Sequence, residues 1–280
     1  MSKWIISAFA DEHSRSLEGQ IGALRENGLN HIELRFINGK NIADMTENEV
    51  SELKKALDEV GITVSAVGSP LGKINLADDF EAHLEKTRRV CHTANLLGTD
   101  KIRVFSFYLH KGKSREECRG EVLEKLGRML DVADSFGVKL CHENEAKIYG
   151  ESPEYCLDLL EHFGGRLRCV FDMGNYVLDG CDPVKGYEML KNYIEYFHIK
   201  DALNEGAIVP AGCGDAHIGE LLHRFSEDSG KAVLLSIEPH LQTFDGLNAL
   251  VGKSFDNPYK FDSLQSAFNE AVKRTKELLI

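Results

Sequence analysis

The stretch ADSFGVKLCHE, residues 133–143, decides the fold. Its first half closes a helical face in which Val122, Leu126, Met129, Ala133 and Phe136 recur at the helix period. Gly137 then stops the helix, as glycine does at the left-handed position after a last turn. The chain passes directly into an apolar run that ends on Glu143. The same succession recurs as LRENGLNHIEL (24–34), LDEVGITVSAV (57–67) and NLLGTDKIRV (95–104), with Gly28, Gly61 and Gly98 at the stops. Helical faces precede each one: Leu17, Ile21 and Leu24; Val50, Leu53 and Leu57; Phe80, Leu84, Cys91, Ala94 and Leu97. Thr46 with Glu49 forms a capping-box signature at the start of the second helix.

Carried along the chain, the pattern predicts strands near 3–10, 31–37, 62–68, 101–108, 138–145, 168–174, 195–201 and 232–239, each followed by a helical segment. Eight strands alternating with eight helices is the arithmetic of a (β/α)₈ barrel. Runs such as KIRVFSFY and AVLLSIE suit a parallel sheet buried on both faces. A doubly wound open sheet is the runner-up, and it would carry a glycine-rich loop after the first strand where this chain has AFADEHSRS. With no linker in view, residues 1–280 are expected to form a single TIM barrel domain, a parallel eight-stranded barrel with outer helices.

Hydrophobic residues make up 42% and charged residues 28%, ordinary for a globular protein. The net charge of −12 leaves no electrostatic footprint for nucleic acid and counts against a membrane surface. No signal core or membrane span stands out. The seven cysteines are odd in number and lack a C-x-x-C pair, so they read as reduced thiols in a cytoplasmic protein.

Catalytic groups of such barrels sit at the C-terminal strand ends. Here strand 5 ends KLCHENE with Glu143 and Glu145, strand 6 CVFDMGN with Asp172, strand 7 FHIKD with His198, and strand 8 LLSIEPH with Glu238. A single such acid is readily a salt-bridged structural residue. Four together are harder to explain, because unpaired buried carboxylates are costly. A divalent cation would hold Glu143, Asp172, His198 and Glu238 together; three carboxylates and an imidazole suit Mn²⁺, Mg²⁺, Co²⁺ or Zn²⁺. Lys200, two residues beyond His198, faces the same way. Glu33 and Arg35 share one strand face, as do Arg103, Phe105 and Phe107. Glu33 and Arg103 either bind substrate hydroxyls or pair inside the barrel. Lys73, on the loop SPLGKINL, either reaches a phosphate or carboxylate or is solvated. The loop PAGCGD after strand 7 lies where barrels often bind phosphate.

The motifs HEN, FDMGN, FHIKD, IEP and PAGCGD, in this order and over nearly the whole chain, resemble the xylose-isomerase-like barrels, a superfamily of sugar and sugar-phosphate isomerases, epimerases and inosose dehydratases. The resemblance implies that Glu143, Asp172, His198 and Glu238 ligate one divalent metal and that Glu143 and Glu238 also transfer protons. Two positions depart from the pattern. Asn175 stands where many members have a substrate-orienting histidine, and Asn204 where some ketose epimerases place an arginine. Both count against a close match to the ketose 3-epimerases.

The function expected on this basis is metal-dependent isomerisation or epimerisation of a small sugar or sugar phosphate. Glu143 would remove a proton alpha to a metal-polarised carbonyl, giving an ene-diolate, and Glu238 would return one. Glu33, Arg103, Asn175, Lys200 and Lys73 are the substrate-binding candidates. Rivals are an inosose-dehydratase-like lyase, an endonuclease-like DNA-repair enzyme drawing on Asp215 and His217 for extra metal, and a binding protein that kept the barrel. The expected partner is a small molecule, not nucleic acid or membrane; family analogy adds a homodimer or homotetramer. Residues 241–260, LQTFDGLNALVGKSFDNPYK, are expected either to cover the site as a lid or subunit contact or to pack as a short rim helix.

Overall fold

The computed structural model describes residues 3–241 and 259–280. Eight parallel strands form the barrel: β1 Trp4–Ala8, β2 His31–Leu34, β3 Thr63–Val67, β4 Lys101–Val104, β5 Lys139–Glu143, β6 Leu167–Asp172, β7 Ile194–Ile199 and β8 Val233–Ile237. Hydrogen bonds link them in the order β1-β8-β7-β6-β5-β4-β3-β2. β1 and β2 complete the ring side by side. Beside that seam Ser65 Oγ of β3 meets Ser7 Oγ of β1 at 2.7 Å and donates to the Ile32 carbonyl of β2 at 3.0 Å. This is the (β/α)₈ barrel that the repeating unit predicts.

Around the ring run α1 Leu17–Glu26, α2 Glu47–Glu59, α3 Phe80–Leu97, α4 Arg115–Phe136, α5 Pro153–His162, α6 Met173–Leu178, α7 Pro183–Leu190, α8 Ile218–Ser229 and α9 Leu264–Glu277. All four predicted glycine stops adopt positive φ, between 59° and 77°. The capping box of Thr46 and Glu49 is present, and Ser114 with Glu117 forms another at α4. Strands are shorter than the apolar runs. Phe36–Ile37 leaves the barrel to pair with Lys40–Asn41, and Asp201–Ala202 pairs with Ile208–Val209, because the strand ends must open into loops at the mouth. All seven cysteines are unpaired. Among the described residues no helix is long and apolar enough to cross a membrane. The lid expectation for 241–260 falls, over 242–258, outside the described residues.

Two cores coexist. The larger lies between strands and helices; the smaller is a plug inside the barrel, made of Ala66, Cys141, Val170, Tyr196 and Leu234. Side-chain alternation puts the next inward residues two positions later, so Glu143, Asp172 and His198 form the layer above Cys141, Val170 and Tyr196. Outward residues such as Phe197 pack on the helices, its ring 5.0 Å from that of Phe225 in α8.

Candidate active site at the C-terminal mouth

Glu143 ends β5, Asp172 ends β6, His198 lies in β7 and Glu238 follows β8 directly. Asp172 and His198 are register partners, as are His198 and Ser236. All four side chains are buried, and their ligand-type atoms lie within 4.8 Å of one another. His198 Nδ1 is 2.9 Å from Glu143 Oε1 and 3.4 Å from Glu238 Oε2, while Nε2 is 3.2 Å from Glu33 Oε2. Lys200 Nζ reaches Asp172 Oδ2 at 3.0 Å, Asn175 Oδ1 at 3.1 Å and Glu238 Oε2 at 3.2 Å.

Electrostatics hold this cluster charged. Burial pushes the Glu143 carboxyl up, but the charges of His198 and Arg103 outweigh it and hold the pKa down at about 2. Burial likewise raises Glu238, yet Lys200 and His240 keep it well below the ordinary value. Asp172 goes the other way, to about 6, because burial exceeds the pull of Lys200 and Glu143 adds repulsion. For His198 burial opposes the charge, and Glu143 and Glu33 overcome it, raising its pKa.

The residues present fit a divalent cation. Their donor set of carboxylate oxygens and imidazole nitrogen suits a hard or borderline ion. Among the described residues the buried Glu143 Oε2 has no hydrogen-bond donor; Arg103 Nη1 approaches to 3.2 Å without hydrogen-bond geometry. An ion at this point competes with the proton on His198, as metal–imidazole sites do.

Sequence reasoning missed Asn144, and it read Asn175 as a substrate contact and Arg35 only as a strand-face residue, whereas all three hold the side chains of this cluster. Asn144 spans β5 to β6, donating to the Asp172 carbonyl at 2.9 Å and accepting from its N–H at 3.0 Å. Asn175 donates its backbone N–H to Asp172 Oδ1, and its side chain donates to the Asn144 carbonyl, so it orients both Asp172 and Lys200. Arg35 donates to Glu238 Oε1 at 2.8 Å, to both Asp11 oxygens at 2.8 and 3.2 Å, and to Glu12 Oε1 at 3.2 Å. Glu12, Glu238 and His240 form a second ligand-capable group, and Arg35 supplies a tethered cation to two of its three members.

The remaining candidates fall in place or out of it. Glu33 is paired inside the barrel, accepting from Tyr196 Oη at 3.0 Å besides facing His198. Arg103 pairs with Glu143 and Glu238 while also lining a mouth cavity of about 210 Å³, together with Arg35, Lys73, Lys200 and Glu238. Lys73 is ion-paired to Glu145 at 2.7 Å on that cavity's rim. The PAGCGD loop is no phosphate cradle: its amides are already filled. Gly212 and Gly214 N–H donate to Asp201 Oδ2 at 2.8 and 3.0 Å, and Ala216 N–H to Oδ1 at 3.1 Å. Asp215 accepts from Asn204, and His217 is an exposed partner of Glu220, so neither joins the tetrad.

The xylose isomerase-like TIM barrel family model matches residues 21–252. A 3-dehydroshikimate dehydratase of Bacillus anthracis is 25% identical over 178 residues; the match covers 63% of this chain, and the chain spans 63% of that relative's length. Among solved structures, a xylose isomerase-like TIM barrel protein of Mycobacterium smegmatis in complex with magnesium has TM-score 0.72 at 17% identity, covering 100% of this chain and 98% of that one. An L-ribulose 3-epimerase has TM-score 0.72 at 18% identity, covering 98% and 93%. The barrel, the order of its strand-end motifs and the family match agree: this chain belongs to the xylose isomerase-like TIM barrel family.

Proposed function

We propose that the protein is a divalent-metal-dependent enzyme that isomerises or epimerises a small sugar or sugar phosphate by removing a proton alpha to a carbonyl. The observation that carries this reading is the convergence of Glu143, Asp172, His198 and Glu238 within 4.8 Å at the C-terminal barrel mouth. When bound there, a divalent ion would polarise the substrate carbonyl and acidify the neighbouring C–H, which a carboxylate as weakly basic as Glu143 requires. Glu143 and Glu238 stand at the two ends of the ligand arc, one on β5 and one after β8, and both are held ionised at neutral pH. Glu143 accepts the α-proton to give the ene-diolate. Glu238 delivers a proton to the reacting carbons; because it starts ionised it first takes that proton from solvent, and Glu143 releases the abstracted proton to solvent to restore the resting state. Arg103 and Lys200, both buried beside these carboxylates, are placed to hold the negative charge on the ene-diolate oxygens.

The curated dehydratase relative supports a second reading, in which the same proton removal is followed by loss of hydroxide. Product analysis separates the two: isomerisation preserves mass and elimination loses one water.

The test is Glu143→Gln and Glu238→Gln with bound Mn²⁺ measured alongside rate. Each is expected to lower kcat by about 10²–10⁴-fold while metal is retained, since this is what general acid–base groups contribute. Wild-type turnover in D₂O should place deuterium at the substrate α-carbon. Metal-replete glutamine variants with near-normal rates, or turnover without solvent exchange, refute the assignment.

A further inference from the structure

The barrel mouth is divided along the sequence. Glu143, Asp172, His198 and Glu238 come from β5 through β8, whereas Arg35 follows β2, Lys73 lies on the loop after β3 and Arg103 is on β4. These three cations are interleaved with two phenylalanines. The guanidinium carbons of Arg35 and Arg103 lie 4.6 and 5.2 Å from the ring centre of Phe9. The ring centre of Phe105 lies 5.0 Å from Arg103 and 4.2 Å from Lys73 Nζ. Arg35, Phe9, Arg103, Phe105 and Lys73 thus form a continuous cationic wall, fixed by contacts of charge with ring faces. All three cations line the mouth cavity, and Lys200 adds a fourth; among the described residues the acids lining it are Glu145 and Glu238.

Within this wall Arg35 is fully paired with Asp11, Glu12 and Glu238, whereas Arg103 and Lys73 are not. Glu238 is shared by Arg35, Arg103, Lys200 and His198. Arg103 is buried, yet among the described residues its Nε–H has no acceptor. Lys73 is held by Glu145 at the rim, a half-exposed pair that an entering anion can displace.

Resting on the functional reading above, we propose that the substrate carries an anionic group, a carboxylate or a phosphate, held by Arg103 and Lys73 while its hydroxy-carbonyl end lies at the tetrad. Guanidinium and ammonium groups recognise both anions by charge-assisted hydrogen bonds, and a neutral sugar leaves these donors unpaired.

The experiment is isothermal titration of Mn²⁺-loaded protein with two matched pairs: 3-dehydroshikimate against its methyl ester, and D-ribulose 5-phosphate against D-ribulose. Mn²⁺ stoichiometry is measured first. The charged member of one pair is expected to bind about tenfold or more tightly than its neutral partner, and which pair responds tells carboxylate from phosphate. Lys73→Gln should shrink that preference by about threefold or more with Mn²⁺ stoichiometry unchanged. Equal affinities within both pairs, or no binding by any of the four, on protein that holds Mn²⁺ overturn the inference alone. Failure to bind Mn²⁺ overturns the functional reading and the inference with it.

Discussion

At the scale of single residues, Arg35 supplies a fixed positive charge to the second group of ligand-type side chains at this mouth. Asp11, Glu12 and Glu238 converge on its guanidinium from the turn after β1 and from the end of β8. Without it, three largely buried carboxylates face one another, and breaking a buried ion pair costs about 3 kcal/mol or more. Arg35→Met should therefore lower the urea midpoint sharply. Because Glu12, Glu238 and His240 retain ligand geometry, added Mn²⁺ should restore part of the loss and metal analysis should find more ion per chain than in wild type. Equal stoichiometry in both proteins, with no recovery on adding Mn²⁺, refutes the role. The tetrad itself was legible in the sequence, because each member ends an apolar strand and strand ends of a barrel face one cavity. Arg35 was legible only as a strand-face residue. Its partners lie 24 residues before it and 203 after, separations at which no local pattern operates.

At the scale of elements, the loop after β3 shows how backbone geometry places a side chain. Gly72 sits at φ 85° against the Phe105 carbonyl, and its N–H donates to the neutral Nε2 of buried His83 at 2.9 Å. Phe105 N–H donates to the Leu71 carbonyl, and Phe107 N–H to that of Gly72, stitching the loop to the segment that continues β4. This is what brings Lys73 over the Phe105 ring. Gly72→Ala adds a methyl group that collides with backbone at a left-handed position, a cost of about 2 kcal/mol or more. The variant should unfold at lower urea and lose substrate affinity before it loses bound metal; wild-type stability would contradict the packing described. The repeating helix, glycine and strand were readable because they depend on local periodicity. The PAGCGD loop was misread because glycines near a strand end signal close approach without saying to what. Here the visitor is the chain's own Asp201, whose carboxylate accepts the loop amides. An acid directly after a strand and just before a glycine-rich loop was the available signal.

At the scale of the whole molecule, folding gathers acids that the sequence keeps apart, and the stability of the chain should record it. Asp179 follows α6, where the helix end already disfavours a negative charge. Burial, then Glu151, Glu145 and Asp172, push its carboxyl up to about 7, and among the described residues its buried Oδ2 has no hydrogen-bond donor. The folded pKa lies above the unfolded value of 3.8, so the folded chain keeps a proton that the unfolded chain has released. This contribution is fully present below about pH 3.8 and is lost as pH rises through about 7. Buried His83 and His142 act in the opposite sense. Burial lowers both to about 4, so their contribution holds above pH 6.5 and falls as the pH drops toward 4. The two trends overlap, and a single pH curve of the wild type would not separate them. Asp179→Asn does, because it deletes one titration and leaves the histidines in place. The variant should be more stable than wild type at pH 8, with its advantage shrinking steadily as the pH is lowered to 5, read as paired urea midpoints. Parallel curves for the two proteins would mean that Asp179 titrates normally and that the acids gathered at this rim do not repel as their placement requires.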